Sequence, residues 1–570
     1  MAAAPSSSSS SGLPTRHVSS IQPQHQHIVP GASHAPNQAL IAATPPQHLT
    51  YQPPPPLTIP NNPVPGLPFS PLESLYFSLF RTETLSGLAG LFDSSSWRQR
   101  VLQDCHADPA IRHAAVALGA LFKTLEQSSR TPSPTGRTDD ADAVRSHWRV
   151  AVQHYSLACN AIAVSSPGED GGGSSSSRPS HHRTRLLVST LLGTFDAFIG
   201  DHRQAIVQIQ NGLSLMERLS SPATQETTDL VEGDLAVVFT RLAISAKSYD
   251  LAFHFPDPYV IRLTPHDESH HPRKTPFSDP VPPGHRFTTL REARLAHEGT
   301  LDRGIRFLER LQAAQNHAMG FFPRDWERYG AAYVGELTSW AAAFGPLFAS
   351  RLEDMALSPR DRTAIATLQM EHINARVLFL SLFSSSETAF DTFVPQFATI
   401  VELAREVVTA DEAAALTAAR CPPPPSQCAH YRWDDVTSVI NGGYAAYHLK
   451  PSFTADLGIV PPLFMVATKC REPTLRRQAI SLLRSSARRE GMWDSELVAR
   501  IGTWIMELEE SSSPPDHLGQ PTTIPEEARV MIHAVDFDLR SRTAELTVGT
   551  RNMKPGDERD PRYQMTHISW

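Results

Sequence analysis

The chain has 570 residues, 40% of them hydrophobic, enough for roughly two to four ordinary domains or one large helical assembly with tails. Its 51 Lys and Arg stand against 59 Asp and Glu, a net charge of −8. That balance excludes a chain-wide polyanion binder, because phosphate recognition needs a concentrated cationic excess. The 5 cysteines, Cys105, Cys159, Cys421, Cys428 and Cys470, are scattered and odd in number, which excludes a disulfide framework and points to a reducing compartment.

Residues 1–66 hold a Ser run, Pro53 to Pro56 and scattered Gln and His, with Arg16 as the only Lys or Arg and no carboxylate before Glu73. Such a stretch has too little apolar surface to offset ordering entropy and reads as a disordered arm, its irregular histidines solvated. It lacks the basic and apolar regions of a secretory signal, and no apolar run approaches the about 18 residues of a membrane span. A soluble, intracellular chain is expected.

Helical periodicity then begins. Leu72, Leu75, Tyr76, Leu79 and Phe80 form one apolar stripe behind Pro71, whose fixed φ suits a first turn. Ile111, Ala114, Ala115, Leu118, Leu121 and Phe122 form another, with Asp108-Pro109 as cap and start. Polar linkers at about 128–144 and 166–184 interrupt the helices. Residues 185–219 read as a helical hairpin turning at Gly200-Asp201. Its spacing fits one tetratricopeptide-like unit, but no repeat of about 34 residues extends it into a solenoid. Further helices are expected near 231–253, 287–318, 325–349, 360–384, 387–409, 431–448, 459–470, 474–488 and 493–510, with a long Pro- and His-rich loop at 255–286.

Only 529–550 alternates with period two. Val530, Ile532 and Ala534 share one face, Leu546 and Val548 the returning strand, as in a β-hairpin. The expected architecture is mostly α, a large irregular multi-helix bundle with helical hairpins, a small C-terminal β-hairpin and a disordered N-terminal arm. Its divisions are 1–66, a helical regulatory body at 67–523, and a β-hairpin tail at 524–570 packed on that body.

Catalytic signatures are missing: no P-loop, no glycine-rich dinucleotide turn and no nucleophile elbow. His297-Glu298 lacks the second histidine of a zinc hydrolase and reads as a surface pair. His266, Asp267, Glu268, His270 and His271 are dense in ligands but sit in the long loop, without a rigid element to present them. Cys421 and Cys428 flank CPPPPSQC with no second pair for a zinc site. Among Asp456, Asp494, Glu507, Glu509 and Glu510 no pair is marked for acid–base work, and Glu509-Glu510 reads as a solvated helix face. Arg471, Arg476, Arg477, Arg484, Arg488 and Arg489 invite a nucleic-acid reading. No aromatics interleave, and Ile480, Leu482 and Leu483 show that the helix packs, so a solvated face or pairing with acids is expected. No catalytic, cofactor or metal residue is assigned.

Several stretches together resemble the fungal-specific transcription-factor region found downstream of the binuclear zinc cluster in fungal regulators. They are LYFSLFRTETLSGLAGLFDSSSW (75–97), DPAIRHAAVALGAL (108–121), FDAFIGDHRQAIVQIQNGLSLM (195–216), FTTLREAR (287–294), SETAFDTFVPQFATIVELA (386–404), GIVPPLFMVATKCREPTLRRQAISLL (458–483) and REGMWDS (489–495). The resemblance implies an all-helical regulatory region, a nuclear role in RNA polymerase II transcription, and control by coregulators, a homodimer partner or a small-molecule effector. The family's six-cysteine cluster is missing from this sequence, so the resemblance carries no DNA-reading residues and no cofactor beyond the zinc of an upstream cluster. Two readings stay open: a regulator that acts through partners, or a gene model that has lost an upstream zinc-cluster exon. A cytosolic helical scaffold for peptides is the alternative from the 185–219 hairpin.

Overall fold

The computed structural model describes residues 69–90, 95–128, 138–164, 179–219, 232–253, 261–263, 279–316, 326–418, 421, 430, 436–440, 448–512, 523–554 and 556–570. The arm at 1–66, the cluster at 266–271 and Cys428 lie outside them, as does much of each expected linker.

Ser70 opens the fold. Its Oγ accepts from the Glu73 N–H at 3.3 Å while Glu73 accepts from the Ser70 N–H at 2.7 Å, a capping box ahead of α1 (Pro71–Leu79). A π-helical turn, Phe80–Thr84, and α2 (Leu85–Ala89) carry the chain to Gly90. The expected stripe divides here: Tyr76 and Phe80 are buried, but Leu72 and Leu75 are 43% and 47% exposed. The first stripe is therefore narrower than its spacing indicated.

After α3 (Ser95–Ala107), Asp108 Oδ1 accepts from the Ala110 N–H at 2.8 Å and starts α4 (Pro109–Ser128). Every member of the α4 stripe is buried, and so are Val116, Ala117, Gly119 and Ala120 on its other faces. A helix apolar all round belongs at a centre, and α1, α3 and α4's other neighbours, α5 (Thr138–Val164) and α6 (Pro179–Ile199), surround it. Gly119 permits the approach of α1, since a Cβ there would lie 1.9 Å from the Tyr76 carbonyl oxygen. Both α5 and α6 begin inside the stretches expected as linkers. The hairpin of α6 with α7 (His202–Leu219) turns at Gly200, φ +88°, as its residues indicated.

α8 (Glu232–Phe253), α9 (Leu290–Asn316), α10 (Trp326–Glu353) and α11 (Pro359–Ser381) follow. Phe287, Trp340, Phe344, Ile365 and Leu368 form a second apolar core among the last three. The expected helix at 387–409 is a 3₁₀ segment, Glu387–Phe393, then α12 (Val394–Thr417). Within 431–448 the described helix is α13 (Val436–Ile440).

The final third combines helices with two small sheets. β1 (Ser452–Thr454), α14 (Val460–Lys469), α15 (Pro473–Leu483), β2 (Arg488–Glu490), β3 (Trp493–Asp494) and α16 (Ser495–Ser511) come in that order. β1 pairs in parallel with β2, and β2 turns through Gly491 (φ +59°) and Met492 to pair with β3. This sheet was not anticipated, and it ends the helix expected at 474–488 early. The period-two segment forms β4 (Met531–Asp538) and β5 (Thr543–Gly549), to which β6 (Gln564–Ser569) adds a third antiparallel strand. A bulge between Ile532 and Ala534 makes two residues of β4 oppose one step of β5, so Val535 faces inward and Ala534 is exposed.

Candidate functional site

A cleft of about 390 Å³ opens where α2, α11, α12 and the β1–β2 pair meet. Gly90 shapes its rim for two reasons. Its φ is +73°, and a Cβ there would sit 1.5 Å from Asp456 Oδ2. Arg360 reaches the same rim, donating from Nη2 to the Gly90 carbonyl at 2.8 Å. Thr454 and Ala455 fasten β1 to α2 by donating to the Gly87 carbonyl at 2.9 and 3.1 Å.

Both signs of charge line the cleft, in pairs. Lys450 Nζ lies 2.6 Å from Glu83 Oε2, and Arg488 pairs with Asp411. Asp456 holds Arg294 of α9 through two bonds of 2.8 and 2.9 Å, and Arg294 also reaches Glu298 at 2.5 Å. Glu490 accepts from the Gly458, Ile459 and Val460 N–H groups at 2.9, 3.1 and 2.9 Å, so one carboxylate serves the open amides and positive dipole end of α14. Burial raises Glu490 to about 6 against the opposing pull of Arg488 and those amides. Burial likewise raises Glu371, beside Arg294, to about 8. The charged groups in and around the cleft are thus held in fixed positions by internal partners.

Of the residues singled out by sequence, Arg471, Arg476, Arg477, Arg488 and Arg489 pair with acids as expected, while His297, Glu298 and Glu509 fall elsewhere. His297 and Glu298 are not a surface pair: they are 0% and 6% exposed. His297 packs 4.8 Å from the Trp340 ring, burial drives its pKa well below the usual range, and Glu298 takes Arg241 and Arg294. Glu509 is not on a solvated face either. It is 0% exposed, with Arg471 Nη2 at 2.7 Å, Arg476 Nη2 at 2.8 Å and the Val530 N–H at 3.0 Å. Glu510 pairs with Arg477 at 2.5 Å, and Asp494 caps α16 by accepting from the Leu497 N–H at 2.9 Å while holding Arg489 at 3.1 Å.

The arginine stretch is consequently an internal device, with Arg484 donating to the Ile440 carbonyl and Arg489 to the Phe198 carbonyl. Arg471 also meets Glu387, which Lys469 and Arg551 approach at 2.9 Å each. Burial alone would raise Glu387; Lys469 and Arg471 outweigh it and hold the carboxyl at about 2. Sequence reasoning missed Glu490 and Arg294, although both lie in stretches that carry the family resemblance; Arg488 it noticed only as part of the arginine stretch.

No protein-family model matches the chain, and no solved structure matches it. Over 115 residues it is 39% identical to the Aspercryptin biosynthesis cluster-specific transcription regulator atnN of Emericella nidulans, a match covering 20% of this chain and 18% of that protein. The shared segment makes this chain similar to a fungal transcription regulator over a fifth of its length. Among the described residues no helix is long and apolar enough to cross a membrane.

Proposed function

We propose that this chain is the regulatory body of a nuclear transcription regulator and does not perform catalysis. It would read the presence of a small polar effector in the α2–α11–α12 cleft and act on RNA polymerase II transcription through other regulators or coregulators. The observation that carries this reading is the 39% identity over 115 residues to a protein named as a cluster-specific transcription regulator. The cleft fits the effector role because its walls come from segments far apart in sequence, Glu83 to Gly90 and Lys450 to Glu490. An occupant bridging them would favour one arrangement of the two walls, which is how differential affinity becomes a population shift.

The test fuses the full chain to a heterologous DNA-binding domain and places that domain's operator before a reporter. A several-fold change in reporter transcript, in either direction, is expected, together with accumulation of the untagged chain in nuclei. A stable fusion that occupies its operator and leaves the transcript unchanged would overturn the proposal.

A further inference from the structure

At the end of α12, three side chains distant in sequence converge on one oxygen. Glu412 Oε2 lies 2.9 Å from His430 Nδ1 and 2.5 Å from His448 Nε2. The two imidazole rings stand 4.5 Å apart at 53°, so their donor atoms point toward a common centre without the rings stacking flat. One ligand atom from each of the three residues falls within 4.8 Å of the others. We propose that Glu412, His430 and His448 form a binding site for a divalent transition metal of the zinc class.

The chemistry favours that class. Two imidazole nitrogens with one carboxylate oxygen suit zinc and its neighbours, whereas calcium and magnesium take oxygen donors almost exclusively. Zinc bonds of about 2.0–2.2 Å in tetrahedral geometry separate neighbouring ligand atoms by roughly 3.3 Å, so the two imidazole nitrogens, 2.9 and 2.5 Å from Glu412 Oε2, need to part from it by less than about 1 Å. His448 is held in place, its side chain 0% exposed, while the His430 side chain is 33% exposed and opens the site to solvent on one side. The fourth position therefore falls to water.

Cys421 supports the arrangement from outside it. Its Sγ lies 3.7 Å from His430 Nε2, the nitrogen that faces away from Glu412. A metal on Nδ1 leaves the proton on Nε2, which then donates toward the sulfur and fixes the ring's tautomer, as outer partners of ligating histidines generally do. The site also borders the cleft: Asp411 and Leu449, one residue from Glu412 and His448, both line it. A bound ion would join α12 to the wall that continues into β1.

The experiment uses the full chain, stripped with a chelator, dialysed, and titrated with Zn²⁺ alone against a chromophoric competitor. One site per chain well above the background is expected. His430→Ala should weaken it by on the order of a hundredfold or more, since losing merely an outer partner costs about 10–100-fold. A His270→Ala/His271→Ala variant reports binding by the histidine-rich stretch at 266–271 and should leave the strong site intact. His430 is partly exposed, so its replacement should leave the circular dichroism spectrum unchanged; Glu412→Gln provides a second, isosteric change. With Co²⁺ as probe, an intense visible band of tetrahedral cobalt should appear in the parent chain and vanish in Glu412→Gln. Zinc should raise the melting temperature of the parent and not of His430→Ala. Absence of the strong site, or its survival in both His430→Ala and Glu412→Gln, overturns the proposal and leaves Glu412 as a shared hydrogen-bond partner of two imidazoles.

Discussion

Two parts of the interior are buried to the same depth by opposite chemistry. Around α4 the contacts are Ala, Val, Leu and Phe against Tyr76, Phe80 and Leu187. Around Glu509 they are Arg471, Arg476, Glu387 and Lys469, with Arg529 nearby on Asp391. Apolar packing is non-directional and tolerates many sequences of the right volume. A buried ion pair is no stronger on balance than good apolar packing, but losing one partner strands the other's charge. The α4 region is therefore specified by pattern and volume, and the α14–α16 region by the identity of single residues. The stretches KCREPTLRRQAI and REGMWDS lie in the second region.

The sharpest break of this contrast is Arg476→Met. It leaves Glu509 with one guanidinium, and a loss of about 3–5 kcal/mol is expected in urea unfolding at unchanged m-value. A loss below about 1 kcal/mol would mean that Arg471 alone satisfies Glu509. Leu118→Ala in α4 should cost about 3 kcal/mol by cavity formation, and Leu118→Met much less, because only volume is at stake there.

A smaller effect belongs to Glu490→Gln. One amide oxygen then replaces a carboxylate that serves three N–H groups, and about 2 kcal/mol of stability should be lost at neutral pH. If the loss is equal for Glu490→Gln and Glu490→Ala, the carboxylate charge is the whole contribution.

Asp196 tests charge inside the apolar part. It is 2% exposed and accepts from the Tyr155 hydroxyl at 3.1 Å. Burial raises its pKa from 3.8 to about 8. With a raised pKa the folded state holds a proton that the unfolded state has released, so its stability contribution is full below about 3.8 and declines as pH rises toward 8. Asp196→Asn keeps the acceptor without the charge, and its stabilising effect should be larger at pH 8 than at pH 5 by at least about 1 kcal/mol. Glu387, held at about 2, behaves oppositely: its contribution is present above 4.5 and is lost as pH falls toward 2. Glu387→Gln should therefore flatten the acid limb of the stability curve. The smallest effect is Leu75→Ala, within about 0.5 kcal/mol, since that side chain is nearly half exposed.

Much of the secondary structure was legible because its causes are local. Pro71, Asp108-Pro109, the α4 stripe and the Gly200 turn each act within a few residues. The bulge at Ile532–Ala534 was not legible, because a single inserted residue reverses the faces of a strand without altering its composition. The candidate cleft was invisible for a related reason. Gly90 and Asp456 look ordinary until the fold brings one against the other, and Glu490 has no meaning without the amides of α14.

By itself, the sequence determined that the chain is mostly helical with a β segment near its end, since hydrophobic periods of 3.6 and 2 are properties of neighbouring residues. Tertiary structure alone decided which charges go inside. His297, Glu298 and Glu509 sit on helices whose local pattern permits either solvent or burial, and partners tens of residues away, such as Trp340, Arg241, Arg471 and Arg476, select burial. Only the fold likewise brings Glu412, His430 and His448 together. Desolvation and pairing depend on three-dimensional neighbours, and no local spacing in the chain encodes them.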